Sequence, residues 1–374
     1  MRDIAAHCGV SIWTVSLALR HDPRVSSTTA AHVQAIAQEL GYDPAVHQAA
    51  RRLVSRRLGK DVMNNVIGLL LPPHFQAANY FAYASLGVLD VLALEGYGVL
   101  TSYLPVDDGN TLPRFPAIYT RGEVDGVIGA GYFLPQRVLQ ALRGNMGFGE
   151  RPVITLIVPQ PGCSSVTTDD RAGAYAATAH LLELGHRHIL HFLHQASVPL
   201  ANRLAGVCQA MQDHGVDPAT HLHYLGEEVF FGRLDPPHHL RFPDPASTDP
   251  DDTVARYYLS QLVAYLRAHP EVTAILGQND PTARRVWYML QEHGIRVPEE
   301  ISLIGFDDTD GIPDEFGRNV LTSVRLPLEA VGQEAARMLI RQLASGQKEL
   351  EHIVLPTELV VRHSTAPPRV TTGV

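Results

Sequence analysis

Strand-length apolar runs recur along most of this chain, at 66–71, 98–104, 125–130, 152–158, 188–193, 273–277 and 301–306. Helix-like segments separate them, at 82–95, 171–184, 204–214, 252–268 and 328–344. No other feature constrains the fold as much. A run that is apolar at every position has both faces out of water, and such strands alternating with helices form parallel sheets covered on both sides. The pattern predicts an α/β body over 65–374 in two subdomains. One is expected to take about 65–162 with part of 294–322, the other about 163–293 with part of 323–374. Ligands of open α/β sheets sit beyond the carboxyl ends of the strands, so the cleft between two such sheets is the expected small-molecule site.

Ahead of the body the charge changes sign. Residues 1–60 hold 8 Lys+Arg against 4 Asp+Glu, a net +4, while the rest of the 374-residue chain holds 22 against 35, a net −13. A small basic head on an acidic body points to a polyanion that binds the head alone. Residues 2–7 suit a short helix, Gly9 a turn, and Ser11 the N-cap of a second helix that runs to about Arg20 before Asp22 and Pro23 break it. Ser26 suits the N-cap of a third helix with Val33, Ile36, Ala37 and Leu40 at helical spacing and Gly41 as its stop. Three short helices with a glycine in the first turn make a helix-turn-helix, whose second helix enters the DNA major groove. An all-α headpiece over 1–43 and a linker over 44–64 follow.

The stretch GVSIWTVSLALR (9–20) carries more apolar residues than one helix face can bury. Val15, Ala18 and Leu19 are expected to face the other two helices, leaving Ile12, Trp13, Ser16, Leu17 and Arg20 outward. An outward Ile, Trp and Leu suit a groove floor of thymine methyls and base edges. The competing arrangement folds Trp13 or Leu17 back into a headpiece short of buried area. Ser11, Thr14 and Arg24 border the outward face and complete the expected DNA-contacting set of the head.

The run RDIAAHCGVSIWTVSLALRHDPRVSSTTAAHVQAIAQELGYDP resembles the headpiece of the LacI/GalR transcription regulators. The same family is resembled, in order, by VIGLLLP (66–72), VDGVIGAG (124–131), SVTTDDRAGA (165–174), LLELGHRHI (181–189), RLAGV (203–207), TAILGQND (273–280) and GIRVPEEISLIGFDD (294–308). The resemblance implies a helix-turn-helix headpiece joined to a periplasmic-binding-protein-like body, acting as a homodimeric regulator, a repressor, on a pseudo-palindromic operator under a sugar-like effector. It implies Arg203, Asn279 and Asp307 as polar contacts to that effector, with Tyr80 and Phe81 as an aromatic pair beside it. Capping after a strand is the competing role for one of Asp307 and Asp308. Residues 44–60, PAVHQAARRLVSRRLGK, resemble the family's hinge, a short helix that folds when two chains meet at the operator's minor groove. Arg51 and Arg52 would then meet phosphates. The family usually places its minor-groove leucine where this chain has Arg51, so Leu53 is the nearest candidate for the wedge. Leu17 stands where well-studied relatives carry an arginine that reads guanine, so the operator is expected to differ there. The chain begins at the first helix itself, which makes an upstream start codon or a fraying helix the expectation.

Other classes find little support. No apolar run reaches the roughly 18 residues of a membrane span and MRDIAAHCG lacks signal-peptide character, so a cytoplasmic protein is expected. Cys8, Cys163 and Cys208 show no paired metal spacing and are expected reduced. With no GxSxG elbow and no phosphate-cradling loop, no enzyme and no cofactor is expected. In HRHILHFLH (186–194), His188 and His194 share a strand face while His191 points the other way, and no neighbouring Cys or carboxylate completes a set, so no metal is expected. His186 is expected to fix a turn. His238 and His239 lie in a Pro-rich stretch, 234–252, of unassigned role. A solute-binding protein of the same body architecture is the rival reading.

Overall fold

The computed structural model describes residues 2–19, 22, 24–42, 63–71, 79–103, 115–131, 134–144, 148–192, 198–225, 253–346 and 349–369. They divide into two compact units, Met1–Asn65 and Val66–Val374. In the first, α1 (Arg2–Cys8), α2 (Ile12–Ala18) and α3 (Ser27–Glu39) follow one another. Gly9, at φ 63°, makes the turn out of α1 in the left-handed conformation that costs a glycine least. Ser11 Oγ accepts the Thr14 amide at 3.0 Å and Ser26 Oγ the Thr29 amide at 3.2 Å, so both expected N-caps are in place. The three helices close on Ile4, Ala5, Val15, Ala18, Val33 and Ala37, with Leu19 and Ile36 packed at the edge. Leu40, expected on the same stripe as Val33, is instead exposed at the α3 terminus.

The second unit has two parallel sheets, each of six strands among the described residues. The first holds β1 (Val66–Leu71), β2 (Gly98–Tyr103), β3 (Gly126–Ala130), β4 (Val153–Leu156), β5 (Ser164–Thr168) and β11 (His352–Leu355), in the order β11-β5-β4-β3-β1-β2. The second holds β6 (His188–Phe192), β7 (Leu222–Leu225), β8 (Val272–Gly277), β9 (Ser302–Asp307), β10 (Thr322–Arg325) and β12 (Glu358–Val360), in the order β12-β10-β9-β8-β6-β7, with β12 antiparallel. Helices α4 (Asn79–Leu94), α5 (Ala117–Thr120), α6 (Gln136–Gly144) and α12 (Leu328–Ser345) belong with the first sheet. With the second go α7 (Asp170–Glu183), α8 (Val198–Asp213), α9 (Pro218–His221), α10 (Thr253–Ala268) and α11 (Asp280–Glu292). No helix of the described residues is long and apolar enough to cross a membrane.

The expected segment boundaries need correction. Strand 164–168 lies in the first sheet, 302–307 lies in the second, and 328–355 returns to the first. Alternation of strand and helix says that a sheet is parallel but not which of two sheets a strand joins. What fixes it here is three crossovers, β5 into α7, β10 into α12 and β11 into β12, and each leaves the carboxyl end of a strand. The carboxyl ends of the two sheets therefore adjoin, which places the cleft where ligands of such sheets bind. On the first sheet α4 and α12 touch backbone to backbone. A Cβ at Gly332 would lie 1.9 Å from the Ala84 carbonyl oxygen and one at Gly87 would lie 2.0 Å from that of Glu329, so neither position admits a side chain. That contact fixes α4, whose first turn carries Tyr80 and Phe81.

Candidate functional site

On α2 the inward residues are as the spacing predicts: Val15 and Ala18 are fully buried and Leu19 is packed beside them. Ile12 is 45% exposed and Trp13 63%, so both stand on the outer side. The guanidinium carbon of Arg24 lies 5.6 Å from the Trp13 ring centroid, within cation–π range, and Asp22 holds the same guanidinium at 2.8 Å. Ser11 and Thr14 are partly committed to each other, their hydroxyls 2.9 Å apart at the start of the helix. Leu17 corrects the sequence reading: it is 3% exposed rather than outward. The helical wheel sets it opposite the core, and it is indeed outside the apolar cluster that the three helices close on, so exposure and not core membership is what the sequence reading got wrong. Ser16 is half-buried. Arg20, Arg51, Arg52 and Leu53 lie outside the described residues.

In the body the centre of the cleft region is Arg203, in the second turn of α8 and 7% exposed. Its Nε donates to Asp170 Oδ1 at 2.6 Å, Nη1 to the Gln278 carbonyl at 2.6 Å and Nη2 to Asp307 Oδ1 at 3.2 Å. Its guanidinium carbon sits 3.6 Å from the Phe306 ring centroid. Each partner comes from the carboxyl end of a strand or the first turn of the helix after it. Asp170 opens α7 and takes the Thr168 hydroxyl at 2.7 Å, Gln278 follows β8, and Asp307 ends β9. The arginine expected to fork onto a ligand is thus already forked onto two carboxylates and a carbonyl, and a ligand has to join or exchange with these partners.

Of the other expected ligand residues, Tyr80 lies close enough to interact with the Arg203 charge and meets Phe81 edge to face at 5.1 Å. Asn279 N-caps α11, its Oδ1 accepting the Thr282 amide at 3.0 Å and hydroxyl at 2.7 Å, so what it can offer a ligand is its amide NH2. Asp308 takes the structural role. It pairs with Arg325 and Arg362, each at 2.7 Å. Asp307 has φ 97° and Ile157, just past β4, has φ 70°. Left-handed backbone at an aspartate and at a β-branched residue stores strain of the kind that gathers at functional sites, and both positions sit at strand carboxyl ends.

Burial sets the electrostatics. It pushes the Asp307 carboxyl up to about 7 against the pull of Arg203, with Asp170 adding to the rise. Burial also raises Asp280, which is held by the Ser323 hydroxyl and the Thr309 amide, and the Asp307 charge raises it further. His191 goes the other way, down to about 4, through burial and the Arg203 charge, and its Nδ1 has no hydrogen-bond partner among the described residues. It lines a small gap beside Arg203 with Ala174, Val207, Leu276 and Phe306. An Asp titrates near 3.9 in an unfolded chain, so between about pH 4 and about 7 the folded protein keeps a proton on Asp307 that the unfolded chain has lost. The stability this group contributes is full below about 4 and is lost as pH rises through about 7. Urea midpoints of wild type and Asp307→Asn measured across that range should converge towards low pH and separate towards neutral, the variant being the less pH-dependent; parallel curves would show that Asp307 is ionised throughout.

Asp170, Gln278, Phe306 and His191 are the site residues that sequence reasoning missed. Asp170 stood in view in SVTTDDRAGA, but nothing in its spacing connects it to Arg203, 33 positions on. His186 does fix a turn, its two ring nitrogens at 2.7 Å from Thr273 Oγ1 and 2.9 Å from the Ala366 carbonyl.

Known proteins match this arrangement along its length. Residues 1–45 match the family described as bacterial regulatory proteins, lacI family, and residues 178–365 match the periplasmic binding protein-like domain. The HTH-type transcriptional regulator DegA of Bacillus subtilis (strain 168) is 31% identical over 98% of this chain and 97% of its own. Among solved structures, the transcriptional regulator CelR–cellobiose complex aligns over 96% of this chain and 98% of its own, at 25% identity and a TM-score of 0.59. The lac repressor dimer bound to operator and the anti-inducer ONPF aligns over 97% and 98%, at 23% identity and a TM-score of 0.63, a likeness of fold.

Proposed function

This chain belongs to the LacI family of bacterial regulatory proteins, and from that premise we propose that it is a repressor which reads a two-fold operator through α2 and releases or grips it according to a sugar-like molecule bound at Arg203. The observation that carries the ligand reading is the buried guanidinium shared by Asp170, Asp307 and the Gln278 carbonyl, with Tyr80 of the other subdomain beside it. Adjacent hydroxyls of a sugar can both donate to such carboxylates and accept from the arginine, while aromatic rings cover its apolar face. The relative solved with cellobiose supports this class of ligand. A molecule that touches both subdomains prefers one angle between them, and that preference is what would change DNA affinity. A solute-binding protein would have no use for residues 1–45.

A two-fold operator calls for two chains, and α4 offers a surface for the second. Tyr83, Leu86, Leu89 and Leu94 lie along one exposed stripe of that helix, Leu94 at 87%. An apolar stripe of this kind on a two-fold axis meets its own copy. The proposal is tested by thermal shift and operator binding with a panel of pentoses, hexoses and β-linked disaccharides. At about 100 times its Kd the right sugar stabilises the protein by about 2.7 kcal/mol and shifts operator affinity. A panel in which no sugar moves either quantity, while a nucleobase or an amino acid does, contradicts the ligand class.

A further inference from the structure

We propose that His188, His223 and Glu271 hold a divalent transition-metal ion of the zinc class at the amino end of the second sheet. The one-letter run 186–194 gave no reason to expect it, because the donors come from three separate segments: His188 opens β6, His223 is in β7, and Glu271 sits in the turn just before β8. The parallel register sets Leu190 opposite His223, and His188 is two residues before Leu190, so both histidines stand on one face of the sheet. Their nearest ring nitrogens, His188 Nδ1 and His223 Nε2, are 3.1 Å apart, and one ligand atom from each of the three residues lies within 4.8 Å of the others. With metal–nitrogen bonds of about 2.0–2.1 Å, two ligands on a tetrahedral ion are about 3.4 Å apart, so the histidine pair already has nearly the spacing that a shared ion needs.

The surroundings prepare the donors. His223 Nδ1 lies 2.8 Å from the Tyr265 hydroxyl; with that nitrogen donating, Nε2 carries the lone pair and faces His188. His269 Nδ1 lies 3.0 Å from Glu271 Oε1 and holds the carboxylate, while the His269 ring stacks on Tyr265 at 4.2 Å. Burial pushes His188 and His223 below the ordinary histidine range, and the mutual repulsion of the imidazoles, with His221 and His269 close by, adds to it. Among the described residues the carboxylate that faces them is Glu271, which works in the opposite direction. Two neutral imidazoles and one carboxylate make a zinc donor set with a position left for water. When the ion binds, the proton that His188 Nδ1 otherwise directs at His223 Nε2 leaves that nitrogen and the neutral ring carries its proton on Nε2 instead, so both imidazoles present a lone pair to the metal. The site lies at the opposite end of the strands from Arg203, so it stands or falls independently of the ligand reading above.

The test uses untagged full-length protein stripped with chelator and titrated with Co2+, then with Zn2+. One Co2+ per chain is expected, with the intense visible bands of a four-coordinate ion, displaced by Zn2+, and Zn2+ should raise the Tm. His188→Gln and Glu271→Gln should each weaken binding by more than the roughly 10–100-fold that loss of a supporting partner costs. His214→Gln, outside the cluster, should leave it unchanged. Circular dichroism checks each variant, and because Glu271 is exposed its substitution keeps the test valid even where His188→Gln fails to fold. No uptake, or uptake that survives Glu271→Gln at full affinity, overturns the proposal. In that case the pair is a hydrogen-bonded imidazole chain ending on Tyr265.

Discussion

Arg203→Ala is expected to destabilise the body by about 3–5 kcal/mol, the range for removing one partner of a buried ion pair, as well as to abolish the response to effector. Asp170 and Asp307 have side chains 4% and 8% exposed, and without the guanidinium they are left as unpaired buried acids. The Gln278 carbonyl loses its donor and the face of Phe306 loses its cover. An arginine whose only partner was a ligand would show none of this: its removal would end the response and leave the unfolding curve of the ligand-free protein where it was. Arg203→Lys should recover little, since one ammonium on a flexible stem cannot reach three acceptors in three directions. Pairing Arg203→Met with Asp307→Asn should recover part of the loss, because it removes an acid together with the base. Urea unfolding of the four proteins separates these outcomes, and equal midpoints for wild type and Arg203→Ala would contradict the network.

Where residues act on near neighbours, the sequence was readable. Ser11, Ser26 and Gly9 cap and turn the headpiece through contacts at most three residues away. The mainly apolar strands, β1, β3, β4, β8 and β9, announced the body. Strand β5 did not: SSVTT holds a single strongly apolar residue, and it lies buried because Ser164 Oγ takes the Gln342 amide at 2.8 Å and the Glu351 backbone amide at 3.0 Å, from 178 and 187 residues away. Polar residues can fill a central strand when distant groups satisfy them, and those partners have no local signature. The candidate site divides in the same way. Arg203 and Asp307 were legible through short motifs, whereas Asp170, and the convergence of residues 188, 223 and 271, exist only once the sheets are built. Leu17 shows the limit of a wheel, which reports where a side chain leaves the helix and not what covers it.

Leu17 and Trp13 are therefore expected to behave oppositely. Leu17→Ala removes a side chain that is 3% exposed although it lies outside the apolar cluster of the three helices, and should lower stability by about 2–5 kcal/mol. Trp13→Ala should leave the headpiece folded, since the indole is 63% exposed and its one described ring contact is with the Arg24 guanidinium. What it should change is recognition. A large apolar face on the second helix, flanked by Ile12 and steadied by Arg24, is suited to stack on thymine methyls, and losing such a contact costs about 1–3 kcal/mol at the base pair concerned. The effect doubles in a dimer, because each half-site loses the same contact. The most direct measurement is a binding-site selection from random duplex DNA with full-length wild type and Trp13→Ala, at fixed salt. Wild type should return a two-fold symmetric site, and the variant the same symmetry and spacing with relaxed preference at one or two base pairs in each half. A selection that returns no symmetric site with wild type, or an identical consensus with the folded variant, would contradict the claim that α2 reads DNA through its exposed face.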